Sequence, residues 1–190
     1  DIEQMAEMGA SLVYTPTSES IRGGGIAPAA NAQRAGVNVA LGTDGPMVDY
    51  SVDMVEQMKA CSLMQHARHL DPTRMPPGRT IEMGTLNGAR ALGLEGEIGS
   101  LETGKRADIA IFDVKRPYVG VLHRPLSSFL GAGKGSDAKV VLVNGQVVYR
   151  NGRFPRFPDA ERVIVEAERL GRTIGEQAGL QHRFSPLWPR

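Results

Sequence analysis

The chain has 190 residues, enough for one or two domains with a real hydrophobic core. Its 22 Lys and Arg against 21 Asp and Glu leave a formal net charge of +1 with no basic run, which excludes phosphate-directed binding of nucleic acid. The single cysteine, Cys61, excludes an internal disulfide framework and a CxxC metal site and fits a reducing, cytoplasmic setting, and no apolar run approaches membrane-span length.

The opening residues, Asp1-Ile2-Glu3-Gln4-Met5, begin in mid-helix and form no signal peptide, as expected of part of a longer protein. Residues 2–9 read as an amphipathic helix through Ile2, Met5 and Ala6, stopped by Gly9. Residues 11–15 follow as a short buried strand that Pro16 ends. Residues 17–25 are polar and then glycine-rich, without the Lys-Ser/Thr pair of a Walker loop, and are expected to be a mobile connection. A helix over 28–35 and a strand over 37–41 make a second β/α unit, which implies parallel strands.

That strand ends in Leu41-Gly42-Thr43-Asp44-Gly45-Pro46, where a lone carboxylate meets a glycine-proline turn. The tip of a strand is where α/β enzymes present a catalytic group, although Asp is also a common turn and capping residue. The next helix is expected to begin near Ser51, with Asp53 in its first turn and Met54, Val55, Met58 and Cys61 as a core-packing stripe. His66 and His69 lie three apart on one helix face, a spacing compatible with a metal. The flanking Arg68 and the following Asp71-Pro72 favour a helix-terminal cation role instead.

Residues 71–78 are a proline-rich connection, and 79–93 a broken helix interrupted around Asn87-Gly88. Composition changes near Gly96. Turn chemistry over 98–105 surrounds short strands, a strand follows over 107–113, and a long loop runs through Pro117, His123 and Pro125. Apolar runs over 139–143 and 146–149 flank Asn144-Gly145, the strongest short hairpin signal, because both turn residues need positive φ. Asp159 is placed to cap a helix carrying Val163, Ala167, Leu170 and Ile174, and the apolar-aromatic tail over 184–190 is expected to dock on a surface elsewhere.

Several of these stretches form an ordered series: Pro16-Thr17-Ser18, Gly25-Ile26-Ala27-Pro28, Leu41-Gly42-Thr43-Asp44-Gly45 and Asp53-Met54. The series resembles the C-terminal portion of the amidohydrolase superfamily, in the branch of cytosine, guanine and S-adenosylhomocysteine deaminases and triazine hydrolases. Thr85-Leu86-Asn87-Gly88-Ala89-Arg90, Glu97-Ile98-Gly99-Ser100-Leu101, Gly104-Lys105-Arg106-Ala107-Asp108 and Val143-Asn144-Gly145 extend the resemblance over about residues 1–153.

The resemblance implies an α/β fold: the last two β/α units of a TIM-like (β/α)8 barrel over 1–95, with strand seven at 11–15 and strand eight at 37–43. It further implies a segment of a small antiparallel β-sandwich over 96–153, followed by a C-terminal helix and tail over 154–190. Asp44 then matches the family's metal-ligating, catalytic aspartate, beside a divalent metal, zinc or in some members iron, that activates water. The family's other ligands are a His-x-His pair on strand one and a histidine on strand five. Here the four histidines, at 66, 69, 123 and 182, all lie beyond strand eight. One aspartate does not hold a catalytic zinc, so the missing barrel half is expected from the same protein or another chain, and this segment alone is expected to be inactive.

Two loops depart from the family pattern. Tyr14-Thr15-Pro16-Thr17-Ser18-Glu19 stands where many relatives have His-Cys-Pro-Thr-Ser-Asn, and Pro46-Met47-Val48-Asp49-Tyr50 replaces small amide and hydroxyl residues after Asp44. Glu19, Met47 and Asp49 are therefore candidate substrate contacts; Glu19 reads equally as a hydrogen-bond acceptor for an amino group and as a solvated loop carboxylate. The expected function is hydrolysis of a non-peptide C–N bond, most simply deamination of a small N-heterocyclic or purine-like substrate, in a homo-oligomer with no nucleic-acid or membrane partner. The alternatives are triazine-type dechlorination or amine release, and a non-catalytic half-barrel subunit or binding module.

Overall fold

The computed structural model describes residues 1–120, 122–157 and 159–184, so the tail expected to dock lies, but for the backbone of Phe184, outside the described residues. Helix α1 (Ile2–Glu7) leads through Gly9, at φ 63°, into β1 (Ser11–Tyr14). Helices α2 (Pro16–Ile21) and α3 (Ala29–Arg34) return the chain to β2 (Asn38–Leu41), which pairs with β1 in parallel from Ser11↔Asn38 to Tyr14↔Leu41. The parallel arrangement agrees with the sequence. The loop expected over 17–25 does not: Pro16 stops the strand and also occupies the first turn of α2, where its missing N–H costs nothing.

After β2 the chain forms a four-residue helix, α4 (Pro46–Asp49), and then α5 (Met54–His69). Asp53 is the cap of α5 rather than a first-turn residue, its Oδ1 accepting from Val55 N at 2.8 Å and Glu56 N at 3.3 Å. Helices α6 (Pro77–Met83) and α7 (Leu86–Ala91) come next. The break between them falls at Gly84-Thr85 and not at Asn87-Gly88: Gly84 ends α6 with its N–H donating to Thr80 O at 3.0 Å, and Thr85 leaves the helical region at φ −133° and ψ −93°. Asn87 is instead a structural tie: its Nδ2 donates to Val39 O at 2.9 Å, and its own carbonyl accepts from Asn38 Nδ2 at 3.0 Å.

The core joins Tyr14, Val39 and Leu41 on the strands to Met58 and Cys61 on α5, with Met75 and Met83 closing it. Met75 and Met83 are fully buried, each contributing about 1.5–3 kcal/mol relative to an exposed side chain. Cys61 is fully buried as well, and burial pushes its thiol up to about 12. A thiol that is neither ionised nor reachable is inert. A disulfide reagent at pH 8 is therefore expected to label no thiol in the native protein and Cys61 only after unfolding; labelling of Cys61 in the native state, followed by absorbance, would contradict this packing.

The second part is a three-stranded antiparallel sheet of β3 (Ile109–Phe112), β4 (Ala138–Val143) and β5 (Gln146–Arg150), in the order β3-β4-β5. Asn144 and Gly145 have φ of 49° and 75°, as the hairpin signal requires. Where the sequence suggested a long loop, Pro125 opens helix α8 (Pro125–Ala132), which packs against α5 and α6 and so joins the two parts. Residues 98–105 hold turns without strands. Asp159 caps α9 (Ala160–Gln177) by accepting from Arg162 N at 2.9 Å, and the stripe of Val163, Leu170 and Ile174 remains exposed, Ile174 by 63%. Among the described residues no helix is long and apolar enough to cross a membrane.

Candidate active site

Beyond the last paired residue of β2, the Gly42 N–H still donates to Tyr14 O at 3.0 Å, so the strand direction is kept to the brink of the turn. The backbone then reverses at Asp44, whose φ of 60° lies in the left-handed region that Asp tolerates better than most residues. This turn lifts the Asp44 side chain out of the sheet end, where it is exposed. Ser18 Oγ donates to Asp44 Oδ2 at 2.6 Å, and Gly45 N donates to Oδ1 at 2.9 Å. These two donors, Ser18 first, with the Arg22 guanidinium nearby, hold the Asp44 carboxyl below the usual carboxylate range. A carboxylate accepts about four hydrogen bonds or ligand bonds, so both oxygens keep free lone pairs facing solvent.

The helices on either side of Asp44, α2 and α4, are tied to α5 by one amide. Gln57, fully buried, accepts from Thr17 N at 3.3 Å, donates from Nε2 to Thr17 Oγ1 at 2.5 Å, and donates from the same nitrogen to Asp49 Oδ2 at 2.6 Å. Gln65, further along the same face, accepts from Ala30 N and donates to Ala27 O, and so fixes the entry to α3. Neither glutamine was singled out from the sequence. A signal existed, since both lie four residues from the core residue Cys61 and share its buried face.

The three candidate substrate contacts meet different fates. Glu19 sits on α2 in an ion pair with Arg22. Met47 is 79% exposed on the outer side of α4. Asp49 differs from expectation: it is 5% exposed, turned inward onto Gln57, because two residues along a helix rotate a side chain by about 200° and put it opposite Met47. His66 pairs with Ser62 Oγ at 3.3 Å, while the buried Nε2 of His69 meets no partner among the described residues. Among the described residues no three His, Cys, Asp or Glu converge on a point. Asp44 by its exposure, charge and free lone pairs fits one corner of a divalent metal site, and the described residues supply no further corner. A cleft of about 520 Å³ lined by Arg34, Arg74, Arg79 and Arg90 lies beside Asn38, at the opposite end of β2 from Asp44.

A parallel β/α pair with an ionised carboxylate just past the C-terminal end of its second strand defines the class of α/β proteins that carry chemistry at strand tips. Comparison with known proteins narrows the class. The family model described as "Amidohydrolase family" matches residues 1–148, and the chain belongs to the amidohydrolase family. It is 39% identical over 176 residues to a 5-methylthioadenosine/S-adenosylhomocysteine deaminase of Desulforudis audaxviator, a match covering 93% of this chain and 41% of that protein. An adenosine deaminase from Xanthomonas campestris with bound zinc superposes with a TM-score of 0.85 at 32% identity, over 90% of this chain and 39% of that one. The zinc complex of an atrazine chlorohydrolase from Arthrobacter aurescens superposes with a TM-score of 0.81 at 27% identity, over 89% of this chain and 37% of that one. The chain thus spans about two fifths of the length of the relatives it matches.

Proposed function

We propose that the chain is the C-terminal part of a metal-dependent amidohydrolase that deaminates a purine-like N-heterocycle. The observation that carries this reading is Asp44, an ionised, outward-facing carboxylate at the tip of the second parallel strand of an amidohydrolase-family chain. On this reading β1 and β2 are strands seven and eight of a (β/α)8 barrel, residues 1–95 form its end, and residues 96–153 contribute to a composite β domain. Asp44 is one ligand of a divalent metal, and the others come from the missing barrel half. Zinc in two of the similar structures favours zinc. Such a metal, when bound, polarises water and the ring carbon it attacks.

The work assigned to this chain's residues is proton handling and placement. Asp44 would take the proton of the attacking water and return it to the departing amine. Water adds to the ring carbon, the C–N bond breaks with its electron pair leaving on nitrogen, and the proton left on the added oxygen moves to the ring nitrogen, giving a ring carbonyl and ammonia. Gln57 keeps α2, which carries Thr17, and α4, which carries Asp49, in register with Asp44, and we assign Glu19 and Met47, on these same helices, to the substrate side. Asp49 serves as the inner anchor of its loop.

The reading is tested on the complete protein with adenosine, 5-methylthioadenosine, S-adenosylhomocysteine and atrazine, following ammonia and chloride release separately. Metal content is measured in parallel. Ammonia from a purine nucleoside, with about one metal per chain, is the expected result. Chloride release from atrazine without purine deamination favours the triazine hydrolase alternative. A metal-free protein turning over none of the four would mean a non-catalytic half-barrel.

A further inference from the structure

We propose that Ser18 is a positioning residue for Asp44, fixing the rotation of its carboxylate so that one face is presented to metal and water; this rests on the reading of Asp44 given above. Two serines on the same short helix set the contrast. Ser20 Oγ donates to Pro16 O at 2.8 Å, four residues back, the ordinary local bond of a helical serine. Ser18 Oγ makes no such local bond and reaches across 26 residues of sequence to Asp44 Oδ2 at 2.6 Å.

Ser18 is fully buried although its acceptor is exposed, so the hydroxyl approaches the carboxylate from the protein side and leaves the solvent side open. With Gly45 N holding Oδ1 at 2.9 Å, one donor from α2 and one from the turn that carries Asp44 define the carboxylate plane. The frame behind Ser18 is rigid. Its neighbour Thr17 is held through both backbone N–H and hydroxyl by Gln57, whose amide also binds Asp49 on the far side of the Asp44 turn. One buried amide thus locks the helix that delivers Ser18 and the helix after Asp44, and Ser18 closes the loop between them. Partners of this kind behind a metal ligand typically change metal affinity or activity by about 10–100-fold when removed.

The test uses the complete metal-loaded protein carrying Ser18→Ala, Ser18→Cys or Asp44→Asn. Four quantities are read: kcat and KM for the deaminated nucleoside, the metal kept after timed dialysis against a chelator, and the unfolding midpoint. Ser18→Ala is expected to lower kcat by about 10–100-fold with KM within about twofold, and to release metal correspondingly faster. Ser18→Cys keeps the volume but offers only a weak S–H donor, and is expected to lie between Ala and wild type on both readouts even if the Ala variant folds poorly. Wild-type kcat and metal retention in the serine variants, alongside an inactive Asp44→Asn, overturn the role of Ser18 and leave that of Asp44 standing. A kcat loss that merely tracks a lowered midpoint, with metal retention unchanged, also overturns it. Wild-type behaviour of Asp44→Asn overturns the reading of Asp44 itself.

Discussion

Asp44→Asn in the complete enzyme is expected to lower kcat by about 10²–10⁴-fold, the range for loss of a positioned proton-transfer group, with the unfolding midpoint close to wild type. The substitution is clean for structural reasons. Asn tolerates the left-handed backbone at φ 60° as Asp does, so the turn is not strained. The amide oxygen still accepts from Gly45 N, and the Ser18 hydroxyl, free to rotate, becomes the acceptor for the new NH2 group. What disappears is the negative charge and the lone pairs that bind metal and receive a proton. Initial rates of ammonia release, with elemental analysis of the dialysed protein, check both losses together. Activity within twofold of wild type would remove Asp44 from the active site.

Much of the architecture was legible because it rests on local rules. The β/α/β/α order forced parallel pairing of β1 and β2, Asn144-Gly145 fixed the β4–β5 hairpin, and Asp159 marked the start of α9. The helices that local rules missed share a cause. Helices α2, α4 and α8 open on Pro16, Pro46 and Pro125, each of which reads first as a breaker. A proline ends the element before it, but at the first helical position its fixed φ also starts the next one. The Gly84-Thr85 break was illegible for a different reason. The turn-like pair Asn87-Gly88 marks the wrong place, because Asn87 sits inside α7 with its side chain tied to Val39 O across 48 residues, and no local pattern records a neighbour in space.

The candidate site divides along the same line. Asp44 was visible as a carboxylate at a strand tip. Its partner Ser18 and the amide of Gln57 were not, because their contacts span 26 and 40 residues of sequence. Polar residues at a core position signal such contacts only when the buried face is already known. Asp49 shows the converse. Its place in a stretch that departs from the family pattern suggested a substrate contact, and one half-turn of α4 put it in the interior.

Asp53→Ala is expected to destabilise the protein by roughly 2–5 kcal/mol, read as a lower denaturant midpoint. This one carboxylate joins the two parts of the chain. Oδ1 caps α5 through Val55 N and Glu56 N, a contribution of about 0.5–2 kcal/mol, while Oδ2 accepts from Gly135 N at 2.7 Å, 82 residues further on. A hydrogen bond to a charged group adds about 1.5–3 kcal/mol, and its loss leaves the Gly135 N–H without this acceptor in a part-buried seam. Asp53→Asn keeps an oxygen for the cap but turns an NH2 group toward Gly135 N–H, donor against donor, so it is expected to fall between wild type and Asp53→Ala. The seam can be opened from its other side. A Cβ at position 135 would lie 2.7 Å from Asp53 Oδ1, so Gly135→Ala pushes the carboxylate off its donors. Both changes remove the same bonds, and the double variant is expected to cost clearly less than the sum of the single ones. Strict additivity would show that Asp53 stabilises the helix start and the seam independently, rather than through one shared carboxylate.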